Sequence, residues 1–214
     1  MGRTAEKGPF GGYCNFGIFM VTGKDAQTGK RKFKKLSAVS QEAAEAAAAA
    51  AGVVGPYSIE LAQHTPPSER QLAYAADLGL SIPEGSVSED VSALISREEM
   101  NGDEDPDRGL VAYAQACGVC FSHFAGARGL LRTMIAQLGA RDRAVLFAYA
   151  VQIGEAGGKF QDPRTAPQYS GFLKFADMVE ADPKLLKLLE ARDVYDYEKP
   201  NRGTKPYKAA ASCL

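Results

Sequence analysis

The sequence predicts an α+β fold: a small N-terminal ββαβ unit, a helical hairpin, and then a mainly α-helical C-terminal domain. Three observations carry this expectation. Residues 13–39 are rich in aromatic and β-branched types and alternate with a period of two, the pattern of strands. Residues 43–51 are alanine apart from Glu45, and alanine has the highest helix propensity. From Arg108 onward the apolar residues recur at helical spacing.

Taken in order, a first strand covers Tyr13 to Thr22, with Cys14, Phe16, Ile18 and Met20 alternating onto one face. Gly23 to Gly29 is turn material, and a second strand runs from Lys30 to Val39. Ser40 caps the helix that follows, and Glu42 places a carboxylate in its first turn, where the helix dipole favours it. Gly52 ends that helix and Val53 to Leu61 supplies a third strand, so residues 9–64 read as a ββαβ module. Residues 65–98 read as a helix-loop-helix hairpin. Thr65 caps its first helix, with Pro66 and Pro67 in the first turn and Leu72, Ala75, Ala76 and Leu78 as a narrow apolar stripe. Ser86-Val87-Ser88-Glu89 forms a capping box for the second, where Val87, Val91, Leu94 and Ile95 share a face.

Glu98 to Asp107 is a run of carboxylates, and residues 99–107 read as an acidic linker. Residues 108–214 read as a helical domain with helices near 107–125, 127–138, 141–156, 167–181 and 183–192. Val145, Leu146, Phe147, Tyr149, Ala150 and Ile153 make the third of these apolar almost all round, which places it centrally. Pro183 follows Asp182 as a first-turn proline. The tail, Tyr195 to Leu214, mixes tyrosines with Lys199, Arg202, Lys205 and Lys208 and reads as irregular and mobile.

The 214 residues carry 25 basic and 26 acidic side chains, a net charge of −1. With 45% hydrophobic and 24% charged residues the chain cannot be wholly disordered, and four cysteines are too few for a disulfide-dense scaffold. The charge is unevenly placed. Residues 1–64 hold 8 Lys/Arg against 5 Asp/Glu, residues 65–107 hold 2 against 11, and residues 108–214 hold 15 against 10. The first residues lack the apolar core of a signal peptide, and Glu6 breaks the myristoylation pattern. The uncharged stretch Gly109 to Ala127 reads as a buried helix rather than a membrane span, and Cys213 stands too near the end for prenylation. A cytoplasmic chain with no membrane partner is expected.

Local motifs for chemistry are weak. Cys117, Cys120 and His123 have a C-x-x-C-x-x-H spacing that suits three zinc ligands, yet they fall inside an apolar helical pattern, which favours buried cysteines. Gly23 to Lys30 has one residue too many for a phosphate loop, and Gly154 to Phe160 also fails that pattern. Neither Asn101 nor Asp103 opens a calcium loop with glycine at its sixth position and glutamate at its twelfth. His64 and His123 lie near no nucleophile signature. No catalytic residue, metal or cofactor is therefore expected. The strongest candidate is the basic strand Lys30, Arg31, Lys32, Phe33, Lys34 and Lys35, whose cations suit a phosphate backbone. The competing reading is a lysine-protected edge strand that resists aggregation.

Two resemblances bear on function. Thr28-Gly29-Lys30-Arg31-Lys32, with the helix opening Gln41-Glu42-Ala43-Ala44-Glu45-Ala46, resembles the arm-binding domain of phage-type integrases, which implies DNA contact by the sheet. The strand after the helix departs from that family and is closer to a common bacterial ββαβ module. Residues 68–80, followed by Ile82-Pro83-Glu84-Gly85, resemble SAP-like helix-loop-helix appendages of bacterial DNA-processing proteins, although this segment is acidic. The whole resembles bacterial and phage proteins that combine such modules with a helical C-terminal domain. These features predict a non-enzymatic, nucleic-acid-associated accessory protein that contacts DNA or RNA phosphates non-specifically. The alternative is a protein-binding adaptor, or a phage-encoded, anti-CRISPR-like inhibitor of a host defence nuclease. It would offer Glu98, Glu99, Asp103, Glu104, Asp105 and Asp107 to a partner's basic groove.

Overall fold

The computed structural model describes residues 6–100 and 103–214. Gly2, on which the myristoylation reading falls, and Asn101 and Gly102 of the expected linker lie outside the described residues. The fold is α+β, with a three-stranded antiparallel sheet near the N-terminus and mostly helices after it. The chain divides into two compact units. One is Met1–Asp105 with Gly118–Gly129, and the other is Pro106–Cys117 with Leu130–Leu214.

In the first unit, β1 (Gly17–Asp25) pairs antiparallel with β2 (Arg31–Ala38) on one side and β3 (Val53–Ala62) on the other. A central strand is buried on both faces when both are covered, and the start of β1 shows this. Phe19 and Val21 pack with Ala38, Val53 and the small side chains Ala44 and Ala48 of α1 (Gln41–Ala50). On the opposite face Cys14, Phe16 and Ile18 pack with Val39, Ala62, Val87 and Cys120. Ser40 caps α1, its hydroxyl accepting from the Ala43 N–H at 3.2 Å.

Two helices follow, α2 (Glu69–Asp77) and α3 (Ser88–Glu99). The cap of α2 is Ser68, not Thr65. A residue before proline is held extended, so Thr65 and Pro66 cannot enter the helix. Ser68 instead forms a full capping box with Gln71. The start of α3 also lies later than expected. Ser86 donates to the Pro83 carbonyl at 2.7 Å, and Asp90 reaches back to accept from the Val87 N–H at 3.0 Å.

The helix expected over 107–125 stops much earlier. Arg108–Ala116 is helical (α4), and Gly118 takes a φ of 69°, a left-handed conformation that glycine adopts without steric cost. The residues beyond it pair with the chain ahead of β1 through a bridge between Cys14 and Ser122. Asn15 N–H donates to the Phe121 carbonyl at 3.1 Å, and His123 N–H donates to the Tyr13 carbonyl at 2.8 Å. The Asn15 side chain closes both ends, donating to the Val119 carbonyl and accepting from the Phe121 N–H. These partners satisfy the backbone that a continued helix would have satisfied internally.

The second unit contains α4, the bulk of α5 (Ala127–Gln137), then α6 (Ala140–Ala156), α7 (Tyr169–Ala181), α8 (Pro183–Glu190), α9 (Val194–Glu198) and α10 (Lys205–Ala211). Its core is built on α6, where every residue from Ala144 to Val151 is buried. Phe147 packs near Phe175 and edge-on to Tyr197. Asp182 caps α8 ahead of Pro183, accepting from Lys184 N–H and Leu185 N–H. The tail expected to be irregular is helical at α9 and α10, because Asp193 and Thr204 cap these turns and the rings of Tyr197 and Tyr207 are buried. The Tyr207 hydroxyl donates to Glu155 at 2.5 Å, and Lys205 pairs with Asp182 at 2.8 Å. Among the described residues no helix is long and apolar enough to cross a membrane.

Candidate nucleic-acid interface

The register of β2 against β1 sorts the basic strand into two sets. Leu36, Lys34 and Lys32 stand opposite Phe19, Val21 and Gly23, on the face that α1 covers. Arg31, Phe33 and Lys35 stand opposite Lys24, Thr22 and Met20, on the other face. Along β3 the same rows continue to Val54, Ser58 and Glu60. Near Ile18 this second face is covered, but its far half is open. Phe33 is 66% exposed and Val54 42%, and Lys24, Arg31, Lys35 and Ser58 are exposed with them.

The open half is thus a small surface with an aromatic ring at its middle row and cations on the rows to either side. Arg31 and Lys24 are direct cross-strand neighbours, and Lys35 lies two residues beyond Phe33. Glu60 brings one carboxylate to the row of Lys35, with Met20 between them. Lys24 carries no signal of its own in the sequence. Continuing the hairpin register back from Arg31 finds it.

Lys32 is occupied differently. Its ammonium lies 2.8 Å from Asp25 and donates to the carbonyls of Ala51 and Gly52 at the end of α1. A cation there also suits the negative end of the helix dipole. The bond from Lys32, and then those from the Thr28 backbone and hydroxyl and the Gln27 N–H, hold the Asp25 carboxyl well below the usual carboxylate range. Lys30 lies just ahead of β2, in the turn that Asp25 organises. Lys34 is exposed on the outer edge of the sheet, because β2 is an edge strand.

The carboxylates of the acidic run have mostly structural partners. Asp103 accepts from the N–H groups of Arg128 and Gly129 in the first turn of α5, and the Glu104 carbonyl accepts from Ala127 N–H. Asp105 pairs with Arg97 at 2.8 Å. Asp107 caps α4, accepting from Gly109 N–H at 2.7 Å. Glu99 accepts from the Tyr74 hydroxyl, and Glu98 is exposed beside it in the last turn of α3.

A buried polar centre escapes sequence reasoning altogether. Asp90 is fully buried. One of its oxygens accepts from the N–H groups of Tyr13 (2.9 Å) and Val87 (3.0 Å). The other accepts from the Ser122 hydroxyl (2.6 Å) and the Cys14 thiol (3.4 Å). Burial, and then the charge of Asp90, push the Cys14 thiol far up, so Cys14 is held neutral and is no nucleophile. The Cys120 thiol is pushed up by burial to about 11. With the helix broken at Gly118, Cys117, Cys120 and His123 do not share a helical face. Among the described residues, no group of three or more His, Cys, Asp or Glu is placed to hold a metal ion. His64 is buried, its Nε2 donating to the Phe16 carbonyl at 2.9 Å with Glu89 3.5 Å from Nδ1.

Comparison with protein-family models, with curated proteins and with solved structures finds no match for this chain.

Proposed function

We propose that this chain is a non-enzymatic, nucleic-acid-associated accessory protein, of the bacterial or phage kind its modules resemble, that grips phosphates through the open half of its sheet. The observation that carries the reading is the placement of Arg31, Phe33 and Lys35 on one uncovered face with Lys24 beside Arg31. Cations on a common face neutralise neighbouring phosphates and release their counterions, without any base being read. In this reading the contact set is Lys24, Arg31 and Lys35, with Lys30 and Lys34 at the edge, while Lys32 holds the hairpin to α1.

The test is fluorescence anisotropy of the full chain with labelled oligonucleotides at low salt. Replacing Lys24, Arg31 and Lys35 together by glutamine is expected to weaken binding by about tenfold or more. Lys32→Gln is expected to lower the melting temperature and leave affinity within about twofold, since the interaction it removes is with Asp25. Absence of binding at low salt, or binding unchanged in the triple variant, would overturn the proposal.

A further inference from the structure

Phe33 is the feature that phosphate contact alone leaves unexplained. It is 66% exposed on a strand, and it sits at the centre of the charged patch rather than at its margin. A residue whose only task was to keep an edge strand soluble would be polar. Arg31 and Lys35 lie two positions to either side of it on the same face, so their Cα atoms stand about 7 Å from that of Phe33 in each direction along the strand. Thr22 is its cross-strand neighbour, and Ser58 lies one strand further. Neither is bulky enough to close the space over that row.

We infer that this face binds single-stranded polynucleotide, with one unstacked base lying against Phe33 and the phosphates on its two sides held by Arg31, with Lys24, and by Lys35. This rests on the nucleic-acid reading above and narrows it. A phenylalanine ring has no donor or acceptor with which to read a duplex groove, and in a duplex the base faces are covered by stacking on neighbouring pairs, leaving only edges in the grooves. A base freed from a duplex presents a whole face, and an aromatic ring flanked by cations is the surface that takes it. The charge arrangement fits the same occupant. Positive side chains bracket the apolar ring along β2, and the carboxylate on these rows, Glu60, lies two strands away on β3. The contacts fall on the base face and the phosphates, which DNA and RNA share.

Anisotropy titrations of the full chain at low salt, with labelled oligothymidylate, oligouridylate and a DNA duplex of equal length, test the inference. Oligothymidylate is expected to bind at least about tenfold tighter than the duplex. Phe33→Ala is expected to weaken the single strand by about tenfold and to leave the duplex within about twofold, while Phe33→Trp retains single-strand binding. Phe33 is solvent-exposed, so neither substitution threatens the fold, and a melting temperature checks this. Oligouridylate is expected to bind within a few-fold of oligothymidylate. Equal affinity for single strand and duplex, a Phe33→Ala variant that binds the single strand as the parent does, or a large preference for one of the two single strands would each overturn the inference. Those outcomes leave phosphate binding by the sheet standing. Absence of binding to all three probes would overturn both readings.

Discussion

Asp90 accepts four hydrogen bonds in a site closed to water, and its donors come from three separate stretches of the first unit. Two of these donors, Tyr13 N–H and Val87 N–H, are backbone groups that cannot turn away. The other two, Ser122 and Cys14, can rotate and can also accept. This asymmetry separates two substitutions. Asp90→Asn keeps a carbonyl oxygen for the backbone donors and turns its amide toward Ser122 and Cys14, so it is expected to cost about 1–3 kcal/mol. Asp90→Ala strands both backbone donors in the interior and is expected to cost about 3–5 kcal/mol. Urea unfolding followed by circular dichroism ranks the two. Equal costs for Asn and Ala would mean that the carboxylate does not organise the backbone around it. Burial, with the charge of Asp90 beside it, keeps the Cys14 thiol neutral, so Cys14 acts here as a packed donor.

At the level of elements, the pairing of β1 with β3 depends on a close approach. The register shifts between Thr22 and Lys24, and a Cβ built on Gly23 would stand 2.5 Å from the Val54 carbonyl oxygen and 2.8 Å from a Val53 methyl. Backbone cannot yield as a side-chain tip can. Gly23→Ala is therefore expected to destabilise the fold by about 1–3 kcal/mol, measured as a drop in the urea midpoint. An unchanged midpoint would mean that the β1–β3 edge is looser than this geometry requires. Alternation and capping chemistry made much of this level readable in the sequence. The extents of β2 and β3, the Ser40 cap and the Asp182-Pro183 start of α8 follow from local signals. By contrast β1 runs Gly17–Asp25 and not Tyr13 to Thr22, because the turn that Asp25 organises starts later and residues 13–15 bond to the 119–123 segment instead. What local signals hid was set by distant partners. Residues 118–123 look helical because they are apolar, but their backbone bonds go to Tyr13 and Asn15, more than a hundred residues earlier. Asp90 reads as an ordinary first-turn carboxylate, and nothing nearby in sequence announces its burial. The tail reads as irregular in sequence because its basic residues mask two capped turns, each seating a tyrosine ring in the core.

At the scale of the molecule, the net charge of −1 says little, since its parts do different work. In the acidic stretch 65–107, Asp90 is buried, Asp103 and Asp107 hold helix starts, and Asp105 pairs with Arg97. On the sheet, Lys24, Arg31 and Lys35 stand on an uncovered face. If these three cations make the phosphate contacts, the logarithm of the association constant for a single strand should fall against the logarithm of salt concentration with a slope of about −2, each contact contributing about −0.7. Arg31→Gln should make that slope shallower by about 0.7. Replacing Asp103 and Asp107 together by alanine should leave the slope and the affinity unchanged. The cost should appear in stability instead, at about 1 kcal/mol for each lost cap. Salt titrations of the parent and the two variants, with melting curves alongside, measure all of these quantities. A slope several-fold steeper than −2 would place the contacts on other basic surfaces. A weaker complex after loss of the two aspartates, with stability intact, would assign the acidic segment a part in binding that its hydrogen bonds do not explain.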